Sequence, residues 1–491
     1  MSEATIYEKS VSGRVGARLP VCDVPQTPLP QELLRRELDL PEVSELQVVR
    51  HFTRLSRRNF SIDTGFYPLG SCTMKYNPRL NEDVARLPGF AALHPRSDEE
   101  SSQGALELMH RLQGWLAAIS GFARVTLMPA AGAQGELAGI LMIRRYHERR
   151  GDSQRRRILV PDSAHGTNPA TVTMAGYESV ELPSDGEGNV DLFALRAACD
   201  ETVAGMMITV PSTLGLFDVN IQEIVDAVHG CGGLMYMDGA NMNALMGIVK
   251  PGELGFDVMH YNLHKTFSTP HGGGGPGCGA VAVNDRLAPF LPGPNVELVA
   301  QAGADMPARY GLRMPPQSIG RLKAFHGNFG MHVRACAYIL FHGARGIREI
   351  SRHAVLNANY LRASLQRSFK IPYPRICAHE FVIEGRFEGI EEVHALDISK
   401  RLMDYGFHPP TNYFPLIVPE ALLIEPTETE DKATLDDFIA AMRHIAQEAR
   451  EDPDLLLSAP RTLDISRLDE VRAARQLMLC CVPIPDWPAQ G

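Results

Sequence analysis

The sequence predicts an α/β protein with a smaller α+β domain at its C-terminal end. From about residue 100 onward, helical stretches alternate with short apolar segments, an order typical of a parallel sheet covered by helices. After about residue 330 the pattern changes to a long helix, two short strand-like segments and a further helix. We therefore expect an N-terminal arm and interface segment over residues 1–95, a large α/β domain over 96–330 and a small α+β domain over 331–491.

The elements follow from local patterns along the chain. Residues 1–50 are rich in proline and leucine with little periodicity, which predicts an arm with one short helix around Gln31–Glu37. Apolar residues on both faces then predict six buried strands, namely Arg124–Leu127, Ile158–Val160, Met206–Val210, Leu234–Met237, Val258–Tyr261 and Val281–Val283. The C-terminal region is predicted to contain helices over 329–341, 346–368 and 435–450 and strands at 380–383 and 416–417.

Composition and charge exclude several classes of protein. Of the 491 residues, 44% are hydrophobic and 22% charged, as in soluble globular proteins. The net charge of -10 disfavours nonspecific binding to nucleic acid or anionic membranes, and no apolar stretch is long enough to span a bilayer. The N-terminal sequence resembles neither a secretion signal nor a transit peptide, so we expect a cytoplasmic protein. The nine cysteines form no CxxC pair, which predicts no metal site, and adjacent Cys480 and Cys481 receive no role.

Lys265 and Asp238 are the first candidates for chemistry. Lys265 follows an apolar strand and precedes four glycines, 272–275, whose entropic cost suggests close approach of the backbone to a ligand. A phosphate-binding P-loop needs its lysine after the glycines, so that motif is excluded, whereas a surface lysine beside a flexible loop is not. Asp238 ends another apolar strand, where it could cap a helix or face a protonated pyridine nitrogen.

Two further patterns complete the prediction of a cofactor site. A turn of small residues, MPAAGAQGE, leads into a helix whose free N–H groups could hold a phosphate, although an ordinary strand-to-helix turn looks similar. His165 follows another strand and could stack on an aromatic ring, although a lone histidine is more often a polar loop residue. Because parallel strands end at one edge of a sheet, these segments should converge. Together they predict a site for pyridoxal phosphate (PLP), with a Schiff base on Lys265.

Long motifs give the chain a resemblance to a known family. They are DTGFYPLGSCTMKYNP at 63–78, NEDVARLPGF at 81–90, HPRSDEESSQGALEL at 94–108, AGAQGE at 131–136, DSAHGTNPA at 162–170, DGANMNA at 238–244, NLHKTFSTPHGGGGPGCG at 262–279, SIGRLKAFHGNFG at 318–330, IEPTETE at 424–430 and RLDEVRAAR at 467–475. On these motifs the sequence resembles subunit 2 of glycine dehydrogenase (decarboxylating), the P-protein of the glycine cleavage system. The resemblance covers nearly the whole chain, but it implies no role for the residues after Arg475.

The resemblance implies a fold, an activity and partners. It implies a fold type I PLP enzyme, similar to aspartate aminotransferase, that decarboxylates glycine and transfers the aminomethyl group to the lipoyl arm of the H-protein. A related subunit 1 would complete the enzyme, with two copies of each chain, and residues 1–50 would contact that partner. The lipoyl-lysine arm of the H-protein would reach the site through a channel, and the sequence does not identify the residues of the channel wall.

The resemblance also implies roles for individual residues. Lys265 would carry the cofactor and shuttle protons, Asp238 would hold the pyridinium, and His165 would stack on the ring. The phosphate would be held by the backbone of Ala131, Gly132 and Ala133 and the side chain of Gln134, with His264 and Thr213 as weaker candidates. Arg321 and Arg375 could bind the glycine carboxylate, although an arginine in either position more often serves the structure.

Two other functions remain open at this point. One is a different fold type I reaction, such as that of an aldolase, an aminotransferase or a desulfurase, because a fold alone does not choose a reaction. The other is a noncatalytic subunit that binds its partner and the H-protein. Lys265 argues against the second, because a degenerate subunit could lose this lysine.

Overall fold

A computed structural model describes residues 3–35, 38, 40–270, 277–303 and 306–477. Two compact units are present: residues 66–457 form the larger, and residues up to 65 together with those from 458 form the smaller. The division of the chain at residues 95 and 330 stays a prediction. Within the described residues, no helix is both long and apolar enough to cross a bilayer.

The secondary structure alternates helices and strands through most of the chain. The α-helices are α1 (Glu45–Ser56), α2 (Arg79–Ala85), α3 (Pro88–Ala91), α4 (Gln103–Ser120), α5 (Gly132–Arg150), α6 (Thr167–Met174), α7 (Leu192–Ala198), α8 (Ile221–Gly230), α9 (Phe329–Leu365), α10 (Ala395–Asp404), α11 (Lys432–Glu451), α12 (Asp454–Leu457) and α13 (Glu470–Arg475). The strands are β1 (Arg124–Thr126), β2 (Arg157–Pro161), β3 (Glu178–Leu182), β4 (Val203–Thr209), β5 (Leu234–Gly239), β6 (Val258–Asn262), β7 (Gly279–Val283), β8 (Asn295–Ala300), β9 (Arg309–Arg313), β10 (Phe381–Glu384), β11 (Thr411–Asn412) and β12 (Ala421–Ile424).

A seven-stranded sheet with the order β1-β7-β6-β5-β4-β2-β3 forms the centre of the larger unit. Strands β2 to β6 are parallel to one another, as the alternation of elements predicts. The prediction of an all-parallel sheet is wrong at one edge, because β7 runs antiparallel to both β6 and β1. β3 was not predicted, since Glu178 and Glu181 interrupt its apolar pattern and it lies at the opposite edge.

Apolar side chains cover both faces of this sheet. Alternate residues of a strand point to opposite faces, so Met206 and Met235 pack in one core while Met207 and Tyr236 pack in the other. Helices α4, α8 and the first part of α9 contribute to the first core, and α5 and α6 contribute to the second. The sheet is therefore buried on both sides, and its strand ends are the places where polar side chains can meet a ligand.

A three-stranded antiparallel sheet with the order β10-β12-β11 packs with α10, α11 and the second part of α9 around a separate core. The strand predicted at 380–383 is present, shifted by one residue. The strand predicted at 416–417 is wrong: this segment is a turn, and Leu416 is exposed. The two helices predicted over 329–368 are one long element interrupted at Gly343, whose φ of 61° is left-handed.

The smaller unit contains α1 and α13. A capping box between Ser44 and Gln47 starts α1, a helix that the proline-rich appearance of residues 1–50 concealed. The short helix predicted around Gln31–Glu37 is a single 3₁₀ turn, Gln31–Leu33. Glu37 itself lies outside the described residues, as do Gly272–Gly275, Cys480 and Cys481.

Candidate active site

A cavity of about 280 Å³ lies at the carboxyl ends of β4, β5 and β6, beside the start of α5. Its lining includes every predicted site residue except Gln134, namely Lys265, Asp238, His165, Ala131, Gly132, Ala133, Thr213 and His264. The lining also includes residues that were not predicted, namely Ser71, Glu136, Thr167, Thr209, Pro211, Ala240, Asn241, Asn262, His379 and Glu380. The convergence of strand ends expected from the sequence is therefore present.

Lys265 occupies a turn directly after β6. Its backbone N–H donates to the carbonyl of Asn262 at 3.0 Å, and its own carbonyl accepts from the N–H of Ser268 at 3.1 Å. Ser268 has a φ of 56°, so the chain reverses sharply here. The turn places the half-buried Lys265 side chain against the cavity.

Asp238 is a buried carboxylate at the end of β5. One of its oxygens accepts from the Asn168 side-chain amide at 3.0 Å, and the other accepts from the Ala240 N–H at 3.0 Å. Burial would raise the pKa of Asp238, but the facing His260 and the Asn168 amide outweigh it and hold this pKa below its ordinary value. The cavity is therefore lined by a fixed negative charge at this point.

A polar network that the sequence analysis missed holds Asp238 in place. The Asn168 amide donates its second hydrogen to Glu136 at 3.1 Å, and Glu136 also accepts from Thr167 Oγ1 at 2.9 Å. On the other side, His260 Nε2 lies 3.5 Å from Asp238, and its Nδ1 lies 2.7 Å from the Tyr236 hydroxyl. These partners fix the orientation of the carboxylate, and Glu136 and Thr167 also line the cavity.

The first turn of α5 forms a second side of the cavity. Its first helical hydrogen bond runs from the Gly135 N–H to the Ala131 carbonyl, so the earlier N–H groups have no helical acceptor. Gly132 is required by the approach of Asn262, because an added Cβ would lie 2.8 Å from Asn262 Cγ. Asn262 Oδ1 is buried and accepts no hydrogen bond from the described part of the chain.

The other predicted residues are placed as follows. His165 is exposed at the cavity edge, with Nδ1 2.9 Å from Thr167 Oγ1. Thr213 is buried and its hydroxyl donates to the Ser163 carbonyl. His264 accepts from the Cys278 N–H at 3.1 Å.

Gln134 does not line the cavity. Its side-chain oxygen accepts from the Ala130 N–H at 2.7 Å, and its amide donates to the Leu322 carbonyl at 3.2 Å. The side chain therefore stabilises the turn before α5. Of the polar groups of Gln134, the backbone N–H is the one that is suited to bind an anion, because it lies in the first turn of α5.

The two arginines considered for a carboxylate lie outside the lining. Arg375 donates to the Glu187 carbonyl at 3.1 Å and to the Phe217 carbonyl at 3.0 Å, which ties its guanidinium to the backbone. Arg321 is exposed. Arg375 thus has a structural role, which was the alternative to binding a carboxylate.

A second acidic group faces the cavity from the three-stranded sheet. One ring nitrogen of His379 and one carboxylate oxygen from each of Glu380 and Glu425 lie within 4.8 Å of one another, and all three residues are buried. Ser71 donates its N–H to Glu380 at 2.8 Å, and Thr73 donates its N–H to Glu425 at 3.1 Å. Burial raises the pKa of Glu425 to about 7 and raises that of Glu380 well above its ordinary value.

This residue set fits pyridoxal phosphate. An ionised carboxylate in a buried setting suits the cationic pyridine nitrogen, and an amine nearby suits its aldehyde. Free N–H groups at a helix start suit the phosphate. The buried Thr209 hydroxyl, which lines the cavity and has no partner among the described residues, offers one further donor.

The chain is similar to known proteins over nearly its whole length. Residues 350–456 match the family model for the glycine dehydrogenase C-terminal domain. A protein from Alkaliphilus oremlandii, named probable glycine dehydrogenase (decarboxylating) subunit 2, is 55% identical over 479 residues, 96% of this chain and 97% of that protein. A protein of the same name from Caldanaerobacter subterraneus is 55% identical over 476 residues, with the same coverage of both chains.

Solved structures show the same fold. A glycine decarboxylase (P-protein) of the glycine cleavage system, in inhibitor-bound form, has a TM-score of 0.70 at 21% identity and covers 85% of this chain and 93% of its own. Oryza sativa TDC with PLP and tryptamine has a TM-score of 0.64 at 14% identity and covers 85% and 91%. The architecture is therefore that of fold type I PLP-dependent enzymes.

Proposed function

The chain belongs to the family of glycine dehydrogenase (decarboxylating) subunit 2, and from that premise we propose how its cavity performs the family's reaction. It is a PLP-dependent subunit that decarboxylates glycine and passes the aminomethyl group to an acceptor. The observation that carries this proposal is the meeting of Lys265, Asp238 and the start of α5 in one cavity. Relatives named for other fold type I reactions share the fold only, at 16% identity or less.

We assign the cofactor's three polar groups to three parts of the cavity. Lys265 would hold the aldehyde carbon, and Asp238 would hold the ring nitrogen. The N–H groups of Gly132, Ala133 and Gln134 would hold the phosphate, because they have no helical acceptor at the start of α5. When bound, PLP supplies an electron sink for the pair of electrons that CO2 leaves behind.

The protein's own residues orient the substrate and control protons around this sink. Asp238 keeps a fixed negative charge beside the ring, since Asn168 and Ala240 hold its carboxylate by hydrogen bonds. The Lys265 amine could accept or release a proton at Nζ. His165, at the cavity edge, would cover one face of the ring.

We further propose the partners of this subunit. The name of its relatives implies a subunit 1, and we infer an assembly of two copies of each chain. The acceptor of the aminomethyl group is the lipoyl arm of an H-protein. One lining residue, His165, is exposed to solvent, which suits an acceptor that enters from outside.

The test is the exchange of carbon between glycine and labelled bicarbonate, with PLP and lipoylated H-protein supplied. It compares the chain alone with the chain plus subunit 1. The Lys265→Ala variant should lose both exchange and the covalent cofactor adduct found by mass spectrometry after borohydride reduction. A matched control, Lys250→Ala, removes a surface lysine paired with Glu253 and should change neither.

Each outcome has a distinct meaning. Exchange only in the mixture supports a subunit that needs its partner, and exchange by the chain alone supports a self-sufficient one. Covalent PLP without exchange in either sample would indicate a different fold type I reaction. A chain that binds no PLP in the mixture would indicate a noncatalytic subunit.

A further inference from the structure

Two carboxyl groups from the three-stranded sheet meet beside Lys265. Glu380 directly precedes β10 and Glu425 directly follows β12. These strands are antiparallel, and Phe381 is paired with Ile424, so the residues just beyond that pair are neighbours. The sheet register therefore brings together two acids that are distant in the sequence, and Glu380 is the one that lines the cavity.

The two carboxyl groups have unequal surroundings. Glu425 accepts hydrogen bonds from the Thr73 N–H at 3.1 Å, the Thr73 hydroxyl at 3.2 Å and the Asn241 amide at 2.8 Å. Glu380 accepts one, from the Ser71 N–H at 2.8 Å, among the residues that the structure describes. Because hydrogen bonds to a carboxylate favour its charged form, and two adjacent carboxylates resist double ionisation, Glu425 takes the charge and Glu380 keeps the proton.

His379 lines the cavity next to Glu380. Its ring is buried, it lines the cavity, and neither ring nitrogen has a hydrogen-bond partner in the described part of the chain. Nε2 lies 3.8 Å from Glu380 Oε1. Burial lowers the pKa of His379 to about 3, so the ring is neutral and carries one nitrogen that donates and one that accepts.

The other titratable groups facing Glu380 do not reverse this assignment. Lys265 opposes the rise in the pKa of Glu380, but burial and the charge of Glu425 outweigh it. Burial also raises the pKa of the Cys72 thiol and raises that of the Cys377 thiol to about 12, so both stay neutral near pH 7. Glu380 is thus a protonated acid beside the Glu425 carboxylate.

We propose that Glu380 is the proton donor of this active site and that His379 passes its proton into the cavity. This inference rests on the proposed function. When the bond between the glycine α-carbon and its carboxyl group breaks, CO2 leaves and the electron pair stays with the carbon. That pair forms a C–S bond with one sulfur of the acceptor disulfide, the S–S bond breaks, and the second sulfur leaves as a thiolate. The carbon is oxidised, the disulfide is reduced, and the thiolate takes the proton from Glu380, which regains one from solvent.

Infrared spectroscopy of the full-length chain with PLP tests where the proton resides. At a pH above the Glu425 pKa of about 7, the wild type should show a neutral carboxylic acid band that shifts in D2O, and Glu380→Gln should lose it. In Glu425→Gln the band should disappear at lower pH than in the wild type, because the neighbouring charge is gone. The matched control is Glu384→Gln, which alters an acid of the same strand that is paired with Lys370 at 2.6 Å and should keep the band.

Transfer to lipoylated H-protein tests what the proton does. Glu380→Gln keeps a group that can accept from Ser71, so it should retain covalent PLP yet lose about 10²- to 10⁴-fold in the rate of new thiol formation. Glu380→Asp should recover part of this rate. Full transfer by Glu380→Gln, or a wild-type band that this variant retains unchanged, would overturn the proposal. A wild type without transfer would contradict the proposed function, and the infrared comparison would still decide which acid holds the proton.

Discussion

The contact between Gly132 and Asn262 makes a sharp prediction about the start of α5. In Gly132→Ala the new Cβ would lie 2.8 Å from Asn262 Cγ, whereas carbon atoms in contact lie about 3.5 Å apart. The Cβ would lie closer still to Asn262 Oδ1, and Asn262 ends β6, which is paired on both sides, so its backbone cannot retreat far enough to relieve these contacts. The side chain must leave its position instead. Overpacking of this kind costs about 1–3 kcal/mol, and we expect that loss in the free energy of unfolding.

A matched variant separates the clash from the general effect of adding a methyl group. Gly104 also lies in the first turn of a helix, α4, and nothing would contact its added Cβ within 4 Å. Gly104→Ala should therefore stabilise the protein by about 0.4–1 kcal/mol. Urea unfolding followed by circular dichroism, together with PLP binding followed by absorbance, measures both variants. Equal unfolding midpoints, or unchanged PLP affinity in Gly132→Ala, would refute the steric argument.

Two further predictions concern charged groups of the larger unit. Asp238→Asn keeps the side chain's size but removes the negative charge that the ring nitrogen requires, so it should retain covalent PLP and lose exchange activity. Normal exchange in this variant would contradict the assignment. Lys75 donates to Glu428 at 2.8 Å and to the Tyr338 hydroxyl at 2.9 Å, and the ion pair is buried. Lys75→Met should cost about 3–5 kcal/mol in chemical unfolding by leaving the Glu428 charge unpaired, and adding Glu428→Gln should recover part of it; no recovery would contradict this reasoning.

The sequence was sufficient where one local pattern decides a position. Asp238 lies near the end of β5 and Lys265 closely follows β6, and every residue of these two strands is buried, which makes them readable from their mostly apolar sequences. β3 could not be read in this way, since an edge strand tolerates Glu178 and Glu181. The antiparallel direction of β7 depends on the path by which the chain returns to the sheet after β6. The apolar composition of a strand does not reveal its direction.

The acidic group beside Lys265 shows a different kind of failure. Glu425 satisfies the rule that identified Asp238, because it directly follows the apolar strand β12. No strand was predicted at Ala421–Ile424, so Glu425 did not stand out as a carboxylate at a strand end. Its neighbour Glu380 becomes adjacent only through the antiparallel register of β10 and β12, and pairing between strands is a property of the folded chain.

The active site draws its side chains from two separately packed cores. Lys265 and Asp238 end strands of the seven-stranded sheet, whereas Glu380 and Glu425 flank strands of the three-stranded one. A ligand that touches both sets can bind only while the two cores are docked, so binding must slow hydrogen exchange in both. At about 100 times its Kd, such a ligand adds about 2.7 kcal/mol to the free energy of opening. Because the two sets of side chains are separate, substitutions near the three-stranded sheet can change how the substrate reacts while the residues of the seven-stranded sheet still bind the cofactor.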